Sequence, residues 1–261
     1  MDYRIFKGIK KRCIYLIRYM QYLGLSKNIR SRFEGLKSKV GEGDQCLIIA
    51  NGPSVKTVDF SNYSNYKVMT MNRAYVKWDQ LLGREPFLHV CINSLVMDKF
   101  KHDLLGLGCP SFYNFASLKR GDWHNKQNLY PILMGFFIGD RITQDIASPF
   151  SSSGTVTFVA LNLAILLGFK KIVIVGLDHK FTGEGVGDKN KTVSMNGEDQ
   201  NHFFDSYFPK GMKWELPDLE RSEQGYRIIN NYCLDHGISI RNESTFTNCD
   251  VFPLGMGAKE T

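Results

Sequence analysis

Four groups of residues have types and spacing that could do chemistry. Asn51-Gly52-Pro53-Ser54 follows the apolar run "CLIIAN" at residues 46 to 51. Gly52 can supply an unusual φ and Pro53 fixes the next one, so the plainest reading is a tight turn. Small residues at the carboxyl end of a first α/β strand also let backbone N–H groups approach a phosphate or ribose. Asn72 and Asn93 close two further apolar runs, "YKVMTMNRAY" and "PFLHVCINS". An asparagine there caps, turns, or exchanges hydrogen bonds with a ligand beyond the strand ends. Ser151, Ser152, Ser153 and Gly154 precede a helical run. A helix N-terminus offers free N–H groups and a positive dipole end, which suits an anion, whereas ordinary capping would use one hydroxyl of the three. The fourth group is Asp178, His179 and Lys180 after an apolar strand, with His202 on a later segment. Histidine titrates near working pH and is the natural general base; Lys180 could neutralise a phosphate.

The elements that must hold these residues follow from periodicity. Apolar runs at 46–51, 66–75 and 86–94 read as buried strands, and the aromatic, glycine-rich stretch 104–147 as one further short strand near "CPSFYNF" with a lid-like connection. In "SSSGTVTFVALNLAILLGFKKIVIVGLDHK" a helix closes at Gly168 and a parallel strand follows at 172–175. The polar stretch 182–200 reads as a flexible loop, "SEQGYRIINNYCLDHG" as a final helix, and "ISIRNES" as a last strand ending at Asn242. Six or seven mainly parallel strands with intervening helices make a Rossmann-like, doubly wound α/β layout.

The chain has 261 residues, 43% of them hydrophobic, enough to bury a full core. Its six cysteines, at 13, 46, 91, 109, 233 and 249, include no CxxC pair and no grouping with histidine, so no metal site is expected from them and a reducing, cytoplasmic setting is. The net charge of +7 is uneven. Residues 1–39 hold eleven Lys and Arg against Asp2 and Glu34, which is +9, leaving 7 − 9 = −2 for the rest. The expected organisation is therefore a basic extension, 1–39, ahead of a Rossmann-like nucleotide-binding catalytic domain, 40–261. In the extension Phe6, Ile9, Cys13, Leu16, Ile17, Met20 and Leu23 share one helical face. Arg18 interrupts the apolar stretch, which is too short for a membrane span. Such a helix fits an anionic membrane surface, through residues 1–30, as a peripheral association on the inner face of the cytoplasmic membrane, or else packs on its own domain. Nucleic acid is not an expected partner, because the body is slightly acidic.

The order of these motifs, strand plus Asn-Gly-Pro-Ser, strand plus "MNRAY", strand plus "INS", then "SSSGTVTFVALNLAILLGFKKIVIVGLD" and "NHFFDSYF", resembles the bacterial sialyltransferases of glycosyltransferase family 42. It also resembles the related MptE-like (DUF115) group, which includes a pterin pyrophosphokinase; the likeness covers about residues 45–245. The resemblance implies that Asn51, Gly52, Pro53 and Ser54 lie by a nucleotide, that Asn72 reaches its ribose or base, and that Asn93 sits near the transferred group. It further implies that Ser152, Ser153 and Gly154 receive a sugar carboxylate and that a histidine serves as base without a metal. The chain departs from the sialyltransferase pattern with Phe150 and Ser151 before the serine loop, His179 and Lys180 after the later strand, and Ser206 where a second histidine belongs.

The expectation is a transferase acting on a nucleotide sugar, CMP-linked and acidic, with a surface glycan or lipid-linked acceptor and no bound cofactor. Its base is His202 or His179. Two alternatives stand beside it: a magnesium-dependent pyrophosphokinase of the MptE-like group, with Asp178 and Asp205 on the metal, and a nucleotide-binding protein without catalysis.

Overall fold

Side chains alternate along the first strand: Cys46 and Ile48 point to one apolar layer and Leu47 and Ile49 to another, and all four are fully buried. A strand apolar on both faces needs a cover on each, which is the condition for a parallel sheet between two helical layers. The structure, a computed structural model, describes residues 3–135, 139–182, 189, 191–255 and 259–260. In chain order the elements are α1 (Tyr3–Leu23), α2 (Ser26–Lys37), β1 (Gln45–Ile49), β2 (Lys67–Met71), α3 (Trp78–Leu82), β3 (Leu88–Cys91), α4 (Ser94–Gly106), β4 (Ser111–Asn114), α5 (Arg120–Trp123), β5 (Leu129–Ile132), α6 (Val156–Leu167), β6 (Lys171–Val175), β7 (Thr192–Ser194), β8 (Lys213–Glu215), α7 (Leu219–Asp235), β9 (Ser239–Asn242), β10 (Phe246–Thr247) and β11 (Lys259–Glu260).

Seven strands form the central sheet in the order β5-β4-β3-β2-β1-β6-β9, every neighbouring pair parallel. The α/β, Rossmann-like doubly wound expectation therefore holds. One face is covered by α2, α6 and α7, the other by α4 and the segment 195–216. Helix α6 is apolar at nearly every position and is buried almost throughout, as a helix packed on all sides must be. Its cap is Thr155, whose side-chain oxygen accepts the Thr157 N–H, and Gly168 closes it at φ 94°.

Three sequence expectations change. The stretch 104–147 carries two strands, β4 and β5, because "LYPI" is buried on both faces beside β4. Part of the expected flexible loop, Thr192–Ser194, pairs antiparallel with Lys213–Glu215; residues 183–188 and 190 of that loop lie outside the described residues. The N-terminal segment is also not a separate extension. Tyr22, Ile29, Phe33 and Leu36 are buried in the same apolar layer as β1 to β3, and Tyr22 donates its hydroxyl to the carbonyls of Pro131 and Ile146 at 3.2 and 3.1 Å. Several of its arginines serve the fold. Arg32 lies over the Tyr130 ring at 4.6 Å and donates to the Leu129 carbonyl, and Arg30 grips Asp145 through two nitrogens.

His89, at the centre of β3, is fully buried beneath Tyr75, Trp78 and Tyr113, with Nδ1 2.9 Å from the Thr70 hydroxyl. Burial pushes its pKa down to about 3. The unfolded chain takes up a proton at this residue below pH 6.5 and the folded chain does not, so its contribution is intact above 6.5 and is lost as pH falls toward 3. Urea unfolding at pH 5 should show about 2 kcal/mol less stability from this group than at pH 7.5. In His89→Gln, which keeps a hydrogen-bonding partner for Thr70 and does not titrate, that part of the pH dependence should vanish.

Candidate functional site

The strands run outward in sequence order from β1 to β5, and the chain then returns to the other side of β1 as β6. Strand order reverses between β1 and β6, and in open α/β sheets the ligand crevice lies beyond the carboxyl ends at such a point. Two of the four motifs meet there. Beyond β1, Pro53 opens a short 3-10 turn, Pro53–Thr57. The Ser54 N–H donates to Asp178 Oδ2 at 2.8 Å, and the Ser54 hydroxyl donates to Asp178 Oδ1. Asp178 is buried, which raises its pKa above the usual carboxylate range, while the two Ser54 donors act in the opposite direction. Gly52 has an ordinary φ of −69°, so it is not needed for a special turn. A Cβ at Gly52 would lie 2.6 Å from both the Asp178 carboxyl carbon and the Gly176 carbonyl oxygen. The close approach that makes residue 52 glycine is made by the protein itself.

The asparagines divide into two kinds. Asn51 lies just past the end of β1 and Asn72 just past the end of β2, its parallel neighbour in the sheet. Both side-chain oxygens are buried without a hydrogen-bond donor, and Asn72 has φ 51°. Asn93 and Asn114 are occupied: the Asn93 oxygen caps α4 by accepting from the Leu95 and Val96 N–H groups, and the Asn114 oxygen accepts from Ala116. The Asn93 oxygen is thus engaged by its own helix, which leaves its amide nitrogen as the group able to face a ligand.

Residues 199–208 cross the sheet beside this rim. The Phe203 N–H donates to the Asn51 carbonyl at 3.1 Å, and Phe203, Phe204, Tyr207 and Phe208 join the apolar layer under β1. The His202 ring stacks on Tyr207 at 3.9 Å and directs Nδ1 to both oxygens of Asp199, at 2.9 and 2.8 Å. A carboxylate only accepts, so Nδ1 carries the proton and Nε2 is the acceptor of the neutral ring. The side chain of His202 stays 16% exposed while that of Asp199 is completely buried. Asp199 also accepts from the Asn201 and Phe208 N–H groups. Arg73 pins the far end of the segment. It donates to the carbonyls of Ser206 and Tyr207 and stacks on Phe100 at 3.9 Å. Sequence reasoning missed Asp199, Arg73 and Tyr207. The only available signal was Asp199 three residues before His202.

The other candidates are placed differently. At the entrance to α6, the Ser151 hydroxyl donates to Asp140 at 2.7 Å and Arg221 of α7 grips the same carboxylate. Burial alone would raise the pKa of Asp140; the Arg221 and Ser151 hydrogen bonds hold it below its ordinary value. The serine loop thus already has a protein carboxylate on its Ser151 hydroxyl. Ser152 faces the Gly154 N–H, while Ser153 is fully buried at φ 44° with its hydroxyl packed near Gly225. His179, at φ 50°, lies under Tyr226 with Nε2 3.8 Å from Glu223; its side chain is 7% exposed, and burial lowers its pKa although Glu223 and Asp250 oppose this. Lys180 is exposed at the β6 end. Asp205 pairs with Lys56 at 3.3 Å and is not joined to Asp178, whose oxygens both accept from Ser54. Among the described residues no three His, Cys, Asp or Glu side chains are grouped to share a metal ion. No protein-family model matches the sequence, and no curated protein and no solved structure matches it.

Two glycine substitutions separate packing from propensity. Gly52→Val forces a branched side chain onto Asp178 and Gly176 and should lower stability by about 1–3 kcal/mol or more, seen as a lower urea midpoint. Gly35→Ala, in the interior of α2 with nothing within 4 Å of the new methyl, should raise it by about 0.5–1 kcal/mol.

Proposed function

We propose that the protein is a nucleotide-sugar-dependent glycosyltransferase that holds its donor beyond the carboxyl ends of β1, β2 and β6 and uses His202 as general base. One coincidence carries this reading. The non-glycine residues with left-handed backbone among those described are Asn72, Ser153 and His179, all at the carboxyl rim of the sheet, and Asn51 and Asn72 beside them keep buried oxygens without donors. Left-handed backbone outside glycine and an orphaned buried oxygen are costs that folds retain chiefly where a ligand uses the geometry, although Asn and His enter the left-handed region more readily than other side chains. A ribose or base would supply the missing donors to Asn51 and Asn72 at the ends of neighbouring strands.

In the transfer step the acceptor hydroxyl oxygen bonds to the anomeric carbon and its proton passes to His202 Nε2. The bond from that carbon to phosphate oxygen breaks, and the nucleotide leaves with the electron pair. Asp199 holds the ring in the accepting tautomer and offsets the charge of the imidazolium. Lys180, exposed past the end of β6, would neutralise the leaving phosphate. His202 is favoured over His179 because it retains exposure and has a buried carboxylate on the opposite nitrogen, whereas His179 is covered by Tyr226 and turned to Glu223. A sugar carboxylate at the serine loop would compete with Asp140 for Ser151 and Arg221. The acidic, CMP-linked character of the donor and its glycan or lipid-linked acceptor accordingly rest on the resemblance of the sequence motifs.

Thermal unfolding in the presence of CMP, UDP, GDP and ATP, each with and without magnesium, tests the binding. A nucleotide at a hundredfold excess over its Kd should stabilise the native state by about 2.7 kcal/mol without added metal. A response confined to ATP with magnesium would replace the transferase with a pyrophosphokinase. With the responding nucleotide's sugar as donor, His202→Ala should lower transfer about a hundred- to ten-thousandfold while keeping the thermal shift. Near-normal turnover in that variant, with a collapse in His179→Ala, would move the base to His179.

A further inference from the structure

Helix α1 turns the wrong face outward for a helix that only completes a fold. Its inner side is Tyr15, Arg18, Tyr19 and Tyr22: Tyr22 is fully buried, and Arg18 donates to the carbonyls of Phe115 and Leu118 at 3.2 and 3.4 Å. Its outer side is the apolar stripe Cys13, Leu16, Ile17, Met20 and Leu23, and Leu16, Ile17 and Met20 are 60%, 59% and 62% exposed. At 3.6 residues per turn, Lys10 and Arg12 stand at the two borders of this stripe. Apart from Asp2, the first acidic residue of the chain is Glu34.

We propose that the outer face of α1 seats the protein on an anionic phospholipid surface. An exposed apolar stripe with a cationic border is the pattern of a helix lying in the interface plane: the aliphatic side chains enter the acyl boundary, and the exposed Lys10 rises beside them to the phosphates. Charge selects this occupant. Two copies packed through the same face would bring together two helices whose sequence, Tyr3–Leu23, holds six Lys and Arg and no acidic residue, whereas an anionic bilayer attracts each basic residue near its surface by about 1 kcal/mol. No helix among the described residues is long and apolar enough to cross a membrane, so the contact lies along the surface. The seat is rigid with respect to the body, because the inner face is bonded beside β4 and β5 and α2 continues into the core. Phe115 and Leu118 follow the end of β4, which places α1 at the carboxyl end of the sheet, the end that carries Asn51 and Asn72. The proposal does not depend on the transferase reading, since binding to lipid requires no donor.

Truncation is an unsuitable test: removing residues 1–30 would take Tyr22 and Ile29 out of the core. Flotation of the full chain with phosphatidylcholine vesicles, with and without phosphatidylglycerol, is the direct one. The protein should float with the anionic vesicles, stay behind with the neutral ones, and be released by salt. Leu16→Glu with Met20→Glu, both at exposed positions, should reduce flotation at least tenfold at unchanged unfolding midpoint and unchanged nucleotide response; Lys10→Glu should weaken it several-fold. Equal flotation of the double variant and the native chain, or no flotation of the native chain at low salt, overturns the proposal. So does a native oligomer, seen by light scattering, that the double substitution dissolves, because the stripe is then a self-association surface.

Discussion

The contact between Ser54 and Asp178 ties the two loops on either side of the strand-order reversal. One carboxylate is buried between the ends of β1 and β6, and a single serine answers it twice, through backbone N–H and hydroxyl. The contact exists only because residue 52 has no side chain, since a Cβ there would occupy the space of the carboxyl group. The Gly52 N–H donates to the Gly176 carbonyl at 2.9 Å, and the Asp178 carbonyl accepts from Asn248. The loops after β1, β6 and β9 are therefore held as one unit, and the crevice beside them has a fixed floor. A buried carboxylate without these donors would be expensive, so loss of either partner disturbs the whole corner.

On that floor, the segment 199–208 is organised from both ends. Asp199 gathers the His202 ring and two backbone N–H groups at one end, and Arg73 takes the carbonyls of Ser206 and Tyr207 at the other. The aromatic residues between them fill the layer beneath β1 and β6 that a crossover helix would otherwise cover. His202 is thus carried by a packed segment, with its ring plane set by Tyr207. Arg73 is buried with carbonyls and aromatic faces as its partners, an arrangement that suits a guanidinium better than an ammonium.

The basic residues of the N-terminal region are not all alike, a difference that net charge alone conceals. Arg18, Arg30 and Arg32 are spent on carbonyls, on Asp145 and on the Tyr130 ring, and they fasten α1 and α2 to the β4 and β5 side of the sheet. What is left for the exterior is a narrower feature, one helix side with an apolar centre. Helical periodicity identifies that side but not its direction, because an apolar stripe serves a core and a lipid surface equally well.

The sequence by itself determined the fold class. Runs such as "CLIIAN" and "KKIVIV", apolar on both strand faces, demand cover on two sides, and the helix between Thr155 and Gly168 is bounded by its own cap and its own left-handed glycine. It also marked the rim residues, because Asn51, Asn72, Ser153, Asp178 and His179 all lie just past strand ends or before a helix. Tertiary structure alone decided what each does. Asn72 and Asn93 look alike in sequence, yet one oxygen is orphaned and the other caps α4, since that depends on where the following backbone goes. The partner of Asp178 is 124 residues away, the serine loop meets Asp140 and Arg221 from two other elements, and α1 buries tyrosines while its aliphatic stripe faces out. Local pattern fixes backbone state because it acts through neighbouring residues; donor and acceptor pairing across the sheet ends is settled only when distant segments share one space.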